Sequence, residues 1–168
     1  MRNILIAIIF QIGWFACVLG GANTVKLPIA LAVAVTLLAC NIWLKREEWV
    51  RELQLVAAVT AIGFLIETIN LATGVFQLNH SSGYPWLCPV WFLLLWALFA
   101  TLLRGPFVWL SGRYWLSAIL GALFAAPNYF AGARLGAVTF NENLVFSFGM
   151  LAVIWAVAMP LMVWLARK

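Results

Sequence analysis

Apolar runs of about 17 to 26 residues, separated by short polar connections, follow one another along the whole chain of 168 residues. Runs of this length are typical of helices that cross the hydrocarbon core of a bilayer, which is about 30 Å thick. The six segments are residues 3–20, 27–44, 53–78, 87–103, 114–133 and 144–166. Because the connections are short, consecutive helices are expected to be antiparallel neighbours. We predict a single transmembrane domain over residues 1–168, an all-α bundle of six helices.

The basic residues divide unequally between the two ends of these segments. One end carries eight of them: Arg2, Lys45, Arg46, Arg51, Arg104, Arg113, Arg167 and Lys168. The other end carries only Lys26 and Arg134. Lys and Arg are enriched in cytoplasmic loops, so both termini are predicted to be cytoplasmic. Three helices in each half are formally compatible with an inverted repeat, but residues 1–80 and 86–168 show no internal similarity worth naming.

The composition excludes several classes of protein. The chain is 66% hydrophobic and only 9% charged, whereas soluble domains carry about 25% charged residues, so no separate soluble domain is expected. The basic residues cluster at helix ends, which argues against nucleic-acid binding. His80 is the only histidine and no HExxH motif or Gly-rich phosphate loop is present, so no metal site and no cofactor are predicted.

Two polar or terminal segments need an interpretation of their own. The first apolar segment resembles the core of a signal peptide, but it is long and contains Gln11 and Trp14, so we interpret it as a retained helix.

The connection KREEWVRE at residues 45–52 carries six charges besides its apolar positions. Its acidic and basic residues are expected to pair locally at a solvated helix start, with attraction to anionic lipid headgroups as a smaller possibility.

Glu67 is the only charged residue between Ala57 and Phe76. A carboxylate inside a membrane is costly and seldom stands there without a partner or a function. The residues on its face, at steps of three or four, are polar or small: Thr60, Gly63, Asn70 and Gly74. This stripe is predicted to face the interior of the bundle, with Glu67 about 21 Å from the cytoplasmic end if the helix begins at Leu53.

The fifth and first segments add polar groups that are predicted to meet Glu67. Asn128 lies at a similar depth, directly after the helix-distorting Pro127, and is followed by Tyr129. We predict a buried cluster of Glu67, Asn70, Asn128 and Tyr129. Arg134 supplies the counter-charge if its side chain turns inward, and Gln11, which shares a helix face with Trp14, lies below. Three further tryptophans within the segments, Trp43, Trp96 and Trp155, are expected to pack rather than to bind a cofactor.

Two interpretations of Glu67 remain open. In the functional one it is a protonatable group in a cavity for a lipid headgroup, another substrate or a proton. In the structural one it is neutral or paired with Arg134 and ties the third helix to the fifth, a kind of contact worth around 0.6 kcal/mol on average. The functional interpretation is favoured, because Ser, Thr or Asn would serve for a merely structural contact.

The opening stretch NILIAIIFQIGWFACVLGGA, PVWFLLLWALFATLL in the fourth segment and AAPNYFAGARLGAV in the fifth resemble a bacterial inner-membrane family, domain of unknown function 2878. The resemblance covers nearly the whole chain in order. The residues here that match the family pattern are Gln11, Trp14, Tyr129, Gly132, Arg134 and Gly136, and Glu67 falls at an acidic position. The fourth segment departs from the family by continuing as LRGPFVWL instead of an LNHSLRWL-like run.

The resemblance implies a small multi-pass protein of the bacterial inner membrane without an assigned activity. It also hints at lipid metabolism, through genes for fatty-acid-modifying and cyclopropane-synthase-like enzymes near those of family members. No catalytic role transfers with it.

Our leading hypothesis is a lipid-associated protein that binds, presents or moves a lipid or fatty-acyl substrate through a pocket between helices one, three and five. The predicted binding residues are Glu67, Asn70, Gln11, Trp14, Asn128, Tyr129 and Arg134. The expected partners are membrane lipids, with membrane-bound lipid-modifying enzymes as further candidates. A small proton- or ion-coupled transporter and a scaffold for neighbouring enzymes are the alternatives. An embedded enzyme is disfavoured because the sequence offers no recognisable nucleophile or metal set.

Overall fold

A computed structural model describes residues 1–80 and 84–168 of the chain. Its helices are α1 (Arg2–Gly21), α2 (Leu27–Trp43), α3 (Trp49–Ala72), α4 (Val90–Leu103), α5 (Tyr114–Arg134) and α6 (Leu144–Arg167). Short 3₁₀ turns lie at Arg46–Glu48 and Val108–Leu110, and two short strands are β1 (Phe76–Leu78) and β2 (Val138–Phe140). The helical class and the six helices are confirmed. The predicted connection NHSSGYPW includes residues 81–83, which lie outside the described residues.

Three predicted helix boundaries were wrong by three to six residues, the first being the start of α3, which lies at Trp49 rather than at residue 53. α3 ends at Ala72 rather than at residue 78, because Gly74 adopts a positive φ of 70° and its neighbours close a glycine-type helix end: the Gly74 N–H donates to Leu71 O and the Val75 N–H to Asn70 O. α4 begins at Val90 rather than at residue 87, because Pro89 is extended and caps the helix. The apolar residues continue past the end of α3 and begin before the start of α4, so hydrophobicity alone did not mark these two boundaries.

Helix length and burial separate the helices into two groups. Within the described ranges, four helices are long and apolar enough to cross a membrane: α1, α3 with its preceding turn, α5 and α6. α2 and α4 are apolar but shorter. α4, about 21 Å long at 14 residues, is buried at most of its positions and packs against α1, α2 and α3. A helix enclosed by its neighbours does not itself have to match the thickness of the lipid.

The antiparallel neighbours predicted from the short connections occur in three pairs, α1 with α2, α3 with α4, and α5 with α6. The α2–α3 pair touches only slightly, because α4 packs against both α2 and α3. The α5–α6 pair forms a hairpin that makes few contacts with the rest of the bundle. A cleft therefore separates α5 from α1 and α4.

The two strands follow α3 and α5 and pair antiparallel across this cleft, with Phe76 opposite Phe140, Gln77 opposite Thr139 and Leu78 opposite Val138. The sequence analysis missed them. The segments that carry them, GVFQLN at residues 74–79 and GAVTFN at residues 136–141, are short copies of one pattern. Each begins with a glycine of positive φ after a helix end, and each ends with an asparagine.

The two asparagines make reciprocal hydrogen bonds. Asn79 Nδ2 donates to the Gly136 carbonyl at 2.9 Å, and Asn141 Nδ2 donates to the Gly74 carbonyl at 3.1 Å. Their backbone N–H groups are reciprocal too, donating to Ala137 O and to Val75 O. The two helix ends are therefore related by a local two-fold axis through the centre of the strand pair. This internal repeat is too short to appear in a comparison of the two halves of the chain.

We expect Gly74→Ala to lower the free energy of unfolding by about 1 kcal/mol, because an L-residue is strained at a φ of 70°. Crowding does not contribute, since the nearest atom to an added Cβ, Asn141 Nδ2, is 4.0 Å away. Gly149→Ala is the matched control: this helical glycine faces open space, so alanine should be neutral or stabilising there. Unfolding in mixed detergent micelles measures both. An equal effect of the two substitutions would contradict the strained helix end.

Candidate functional site: a buried carboxylate at the end of an aromatic cavity

The Glu67 carboxylate is completely buried and accepts hydrogen bonds from three side chains. Trp96 Nε1 donates to Oε1 at 2.9 Å, and the Tyr129 hydroxyl donates to the same oxygen. Asn70 Nδ2 donates to Oε2 at 3.3 Å. All three donors are neutral, and no ion pair in the described part of the chain involves Glu67. The acidic group is therefore held by hydrogen-bond donors rather than by a counter-charge.

The donors meet because their helices place them at one level. Glu67 stands five residues before the end of α3 and Tyr129 five residues before the end of α5. Each is seven residues ahead of its repeat glycine, Gly74 or Gly136, so the local two-fold axis relates the two positions. Trp96 reaches the same level from the antiparallel α4, six residues after its start at Val90. α3 begins at Trp49, so Glu67 lies about 27 Å along the helix, deeper than the predicted 21 Å.

Two close contacts position the Trp96 indole. A Cβ at Gly63, one turn before Glu67, would overlap the indole ring, so the absence of a side chain at Gly63 makes room for it. The ring stacks on Trp155 of α6, with centroids 4.9 Å apart and an interplanar angle of 16°. Trp96 is thus held between α3 and α6, with its N–H directed at the carboxylate.

The cleft between the α5–α6 hairpin and helices α1 and α4 contains a cavity of about 440 Å³, and Glu67 lies on the wall of this cavity. Eleven of its lining residues are aromatic: five tryptophans, five phenylalanines and Tyr129. Phe124 and Asn128 of α5 line the cavity and are exposed on the outside of the bundle. Trp109, beyond the end of α4, also lines it and is half exposed. The cavity therefore opens sideways along α5, where lipid surrounds a membrane protein.

The structure brings together three of the predicted residues, Glu67, Asn70 and Tyr129. Trp14 is buried on α1 and lines the same cavity. Asn128 lines the cavity but makes no hydrogen bond to Glu67; it lies at the exposed edge instead. These positions follow from helix geometry, since Asn128 and Tyr129 are adjacent and point about 100° apart around α5.

Two further predicted positions were wrong. Gln11 does not lie below the cluster: it is exposed on the outer face of α1, while Trp14, one turn later, faces inward. Arg134 is not the counter-charge of Glu67. It is exposed in the last turn of α5, with its guanidinium 5.1 Å from the centre of the Phe130 ring. A long cationic side chain at a helix end extends toward water more cheaply than it buries its charge.

The sequence analysis missed Trp96 as a ligand of the carboxylate and Trp155 as its support, because both were assigned to packing. One signal was present. Gly63 interrupts the large residues of the third segment one turn before Glu67, and a glycine on a buried helix face often marks the close approach of a bulky neighbour. The pattern does not say which neighbour that is.

One comparison with known proteins found a match. The sequence profile of the family described as "Protein of unknown function (DUF2878)" matches residues 3–161, nearly the whole chain. The chain belongs to the DUF2878 family. No curated protein and no solved structure matches it.

In this DUF2878 protein we expect Tyr129→Phe to lower the free energy of unfolding by about 1–3 kcal/mol, because a buried carboxylate oxygen loses a donor while the ring stays in place. In a Glu67→Gln background the cost should shrink by about 1 kcal/mol, since the two residues share one hydrogen bond. A double-mutant cycle in detergent measures this coupling. Tyr114→Phe, at the other end of α5, is the control and should change stability by less than about 0.5 kcal/mol. Equal costs of Tyr129→Phe in both backgrounds would show that the bond contributes nothing.

Proposed function

We propose that the protein binds or moves a lipid or fatty-acyl molecule through the cavity that contains Glu67. The observation that carries the proposal is the shape of this cavity, which runs from the lipid-facing side of α5 to a fully buried carboxylate. An acyl chain matches the aromatic walls, and the polar end of the same molecule reaches Glu67 and Asn128. The volume of about 440 Å³ lies within the range of small-molecule sites, about 300–1,000 Å³.

The side chains around the cavity would bind the two ends of such a ligand differently. Tyr129 and Trp96 hold the carboxylate in one orientation, so it is pre-organised to accept a hydrogen bond from a hydroxyl, amide or protonated head group. Trp14 and the phenylalanines of α4 offer apolar area to the chain. A small proton- or ion-coupled transporter is a second candidate, favoured by the burial of an acidic group inside the bundle. The apolar walls of the cavity favour the lipid.

We also propose a setting in the bacterial inner membrane, with six spans and both termini in the cytoplasm. Eight of the ten basic residues lie at the end of the bundle that holds the termini, which supports this orientation. The shorter helices α2 and α4 complete the spans if the turns next to them lie in the interface. A reporter that fluoresces only in the cytoplasm is expected to be active when fused after Lys168, and inactive when inserted in the connection between α1 and α2. The opposite pattern would reverse the orientation.

The function is tested by comparing the lipids of a host that lacks the gene with those of the same host complemented by variants expressed at equal levels. A lipid species that changes on deletion should return with the wild type but not with Glu67→Gln. It should not return with Gly132→Leu either. Gly132 lines the cavity, and a Cβ there meets no atom within 4 Å, so a leucine side chain is expected to occupy the space of the ligand without disturbing the helix.

Each variant has a matched control. Glu142→Gln removes an exposed carboxylate just before α6, and Gly149→Leu places the same side chain on an exposed helix face; both should complement like the wild type. An unchanged lipid profile on deletion would refute the proposed function and favour transport of a small solute. Full complementation by Glu67→Gln and Gly132→Leu would leave only a scaffold role for the protein.

A further inference from the structure

The charged connection before α3 is not simply a solvated helix start, as the sequence suggested. Lys45 Nζ contacts Glu52 Oε1 at 2.6 Å and donates to the Thr101 carbonyl at 2.7 Å, and both Lys45 and Glu52 are buried. Asn41 Nδ2 donates to the Thr101 hydroxyl at 3.0 Å. These contacts join the end of α2, the start of α3 and the end of α4. The cluster lies 15 residues before Glu67 on α3, about 22 Å away along the helix.

Arg104, which directly follows α4, lies beside this cluster and is only partly satisfied. Its Nε donates to the Ala166 carbonyl near the end of α6 at 2.9 Å. Its Nη1 is 4.0 Å from Glu48 Oε2 and has no hydrogen-bond partner within the ranges that the structure covers. The Arg104 side chain is 16% exposed, whereas that of Glu48 is 63% exposed and extends outward. A guanidinium N–H is thus buried and free to donate.

A second cavity, of about 280 Å³, lies between these groups. Four cations line it, namely Arg2, Lys45, Arg46 and Arg104, together with the carboxylates Glu47, Glu48 and Glu52. The Lys45–Glu52 pair neutralises itself, which leaves three arginines from three segments against two glutamates that are exposed. The lining therefore carries four cationic and three anionic side chains, an excess of one positive charge.

The pKa of Lys45 is lowered from its ordinary value, mainly by burial. Burial lowers it first, and the charges of Arg104 and Arg2 lower it further, while the hydrogen bond and the charge of Glu52 act in the opposite direction. Like charges repel one another when held close together, and a bound anion would relieve that repulsion.

The cavity lies at the basic end of the bundle, where headgroups of the surrounding lipid are within reach. Trp43 lines it and is 64% exposed, with the Arg46 guanidinium 5.2 Å from the centre of its ring. Exposed tryptophans at helix ends are typical of the boundary between hydrocarbon and headgroups. A ligand therefore has access from the headgroup layer as well as from water.

We propose that this cavity binds a phosphate group, carried either by the headgroup of an anionic lipid or by a small soluble phosphate. Guanidinium groups bind phosphate through paired N–H donors, and Arg104 presents an unused buried donor to the cavity. Arg2 and Arg46, which are exposed, close around the ligand from the start of α1 and from the turn before α3. The site is independent of the Glu67 cavity and of the function proposed for it.

The test measures the thermal unfolding midpoint of the full chain in a zwitterionic detergent at constant ionic strength. The probes are dioctanoyl phosphatidylglycerol, inorganic phosphate and, as a neutral-headgroup control, dioctanoyl phosphatidylcholine. We expect the midpoint to rise with phosphatidylglycerol or phosphate and not with phosphatidylcholine. Arg104→Gln and Arg2→Gln should each weaken the apparent affinity on the order of tenfold, the usual effect of losing one charged hydrogen bond.

Arg113→Gln is the matched control, because Arg113 is exposed at the same end of the bundle and does not line the cavity. A rise with phosphatidylglycerol alone assigns the site to a lipid headgroup, and a rise with inorganic phosphate assigns it to a soluble phosphate; both support the proposal. If Arg113→Gln weakens binding as much as Arg2→Gln does, the attraction is a diffuse surface effect and the proposal fails. It also fails if no probe raises the midpoint of the wild type. Arg2→Gln keeps the test valid even if Arg104→Gln does not fold.

Discussion

The structure depends on how a carboxylate is accommodated inside an apolar bundle. An acidic group in hydrocarbon is expensive unless donors surround it, and Glu67 obtains them from Trp96 on α4, Tyr129 on α5 and Asn70 on its own helix. Because the donors come from three helices, the relative positions of α3, α4 and α5 are constrained at once. Gly63 and Trp155 are part of the same constraint, since they hold the indole whose N–H faces the carboxylate.

The paired strands act on the same geometry from the end of the bundle. α3 and α5 share little direct packing, yet β1 and β2 join their ends with a defined register. The asparagine side chains donate to the backbone carbonyls of Gly136 and Gly74, which follow the two helix ends, and so add to the strand pairing. The strand pair can therefore keep Glu67 and Tyr129 in contact while a cavity remains open beside them.

The two ends of α3 use acidic residues differently. Near its start, Glu52 pairs with a buried lysine, and both line a cavity together with other charged residues. Near its other end, Glu67 has only neutral donors. Burying a charge pair costs less free energy where water and headgroups are close. Deeper in the membrane, an added cation would bring its own desolvation cost. Arg134 follows the same rule, since it is exposed and turns away from Glu67 toward the outside.

Much of the architecture could be predicted from the sequence alone. Six apolar runs predict six helices, since an apolar segment in lipid must satisfy its backbone internally, and a lone acidic residue on a stripe of small and polar positions predicts that Glu67 faces inward. Asn70 belongs to the same stripe, and Tyr129 was predicted from its depth in the fifth segment next to Asn128. The local pattern did not reveal Trp96, the strand pair or the outward direction of Gln11 and Arg134. Periodicity shows which face of a helix is distinctive, but not which helix packs against it or how far that helix is rotated. These features depend on tertiary packing, because the insertion of α4 between α1, α2 and α3 depends on side-chain shape across helices that are distant in sequence.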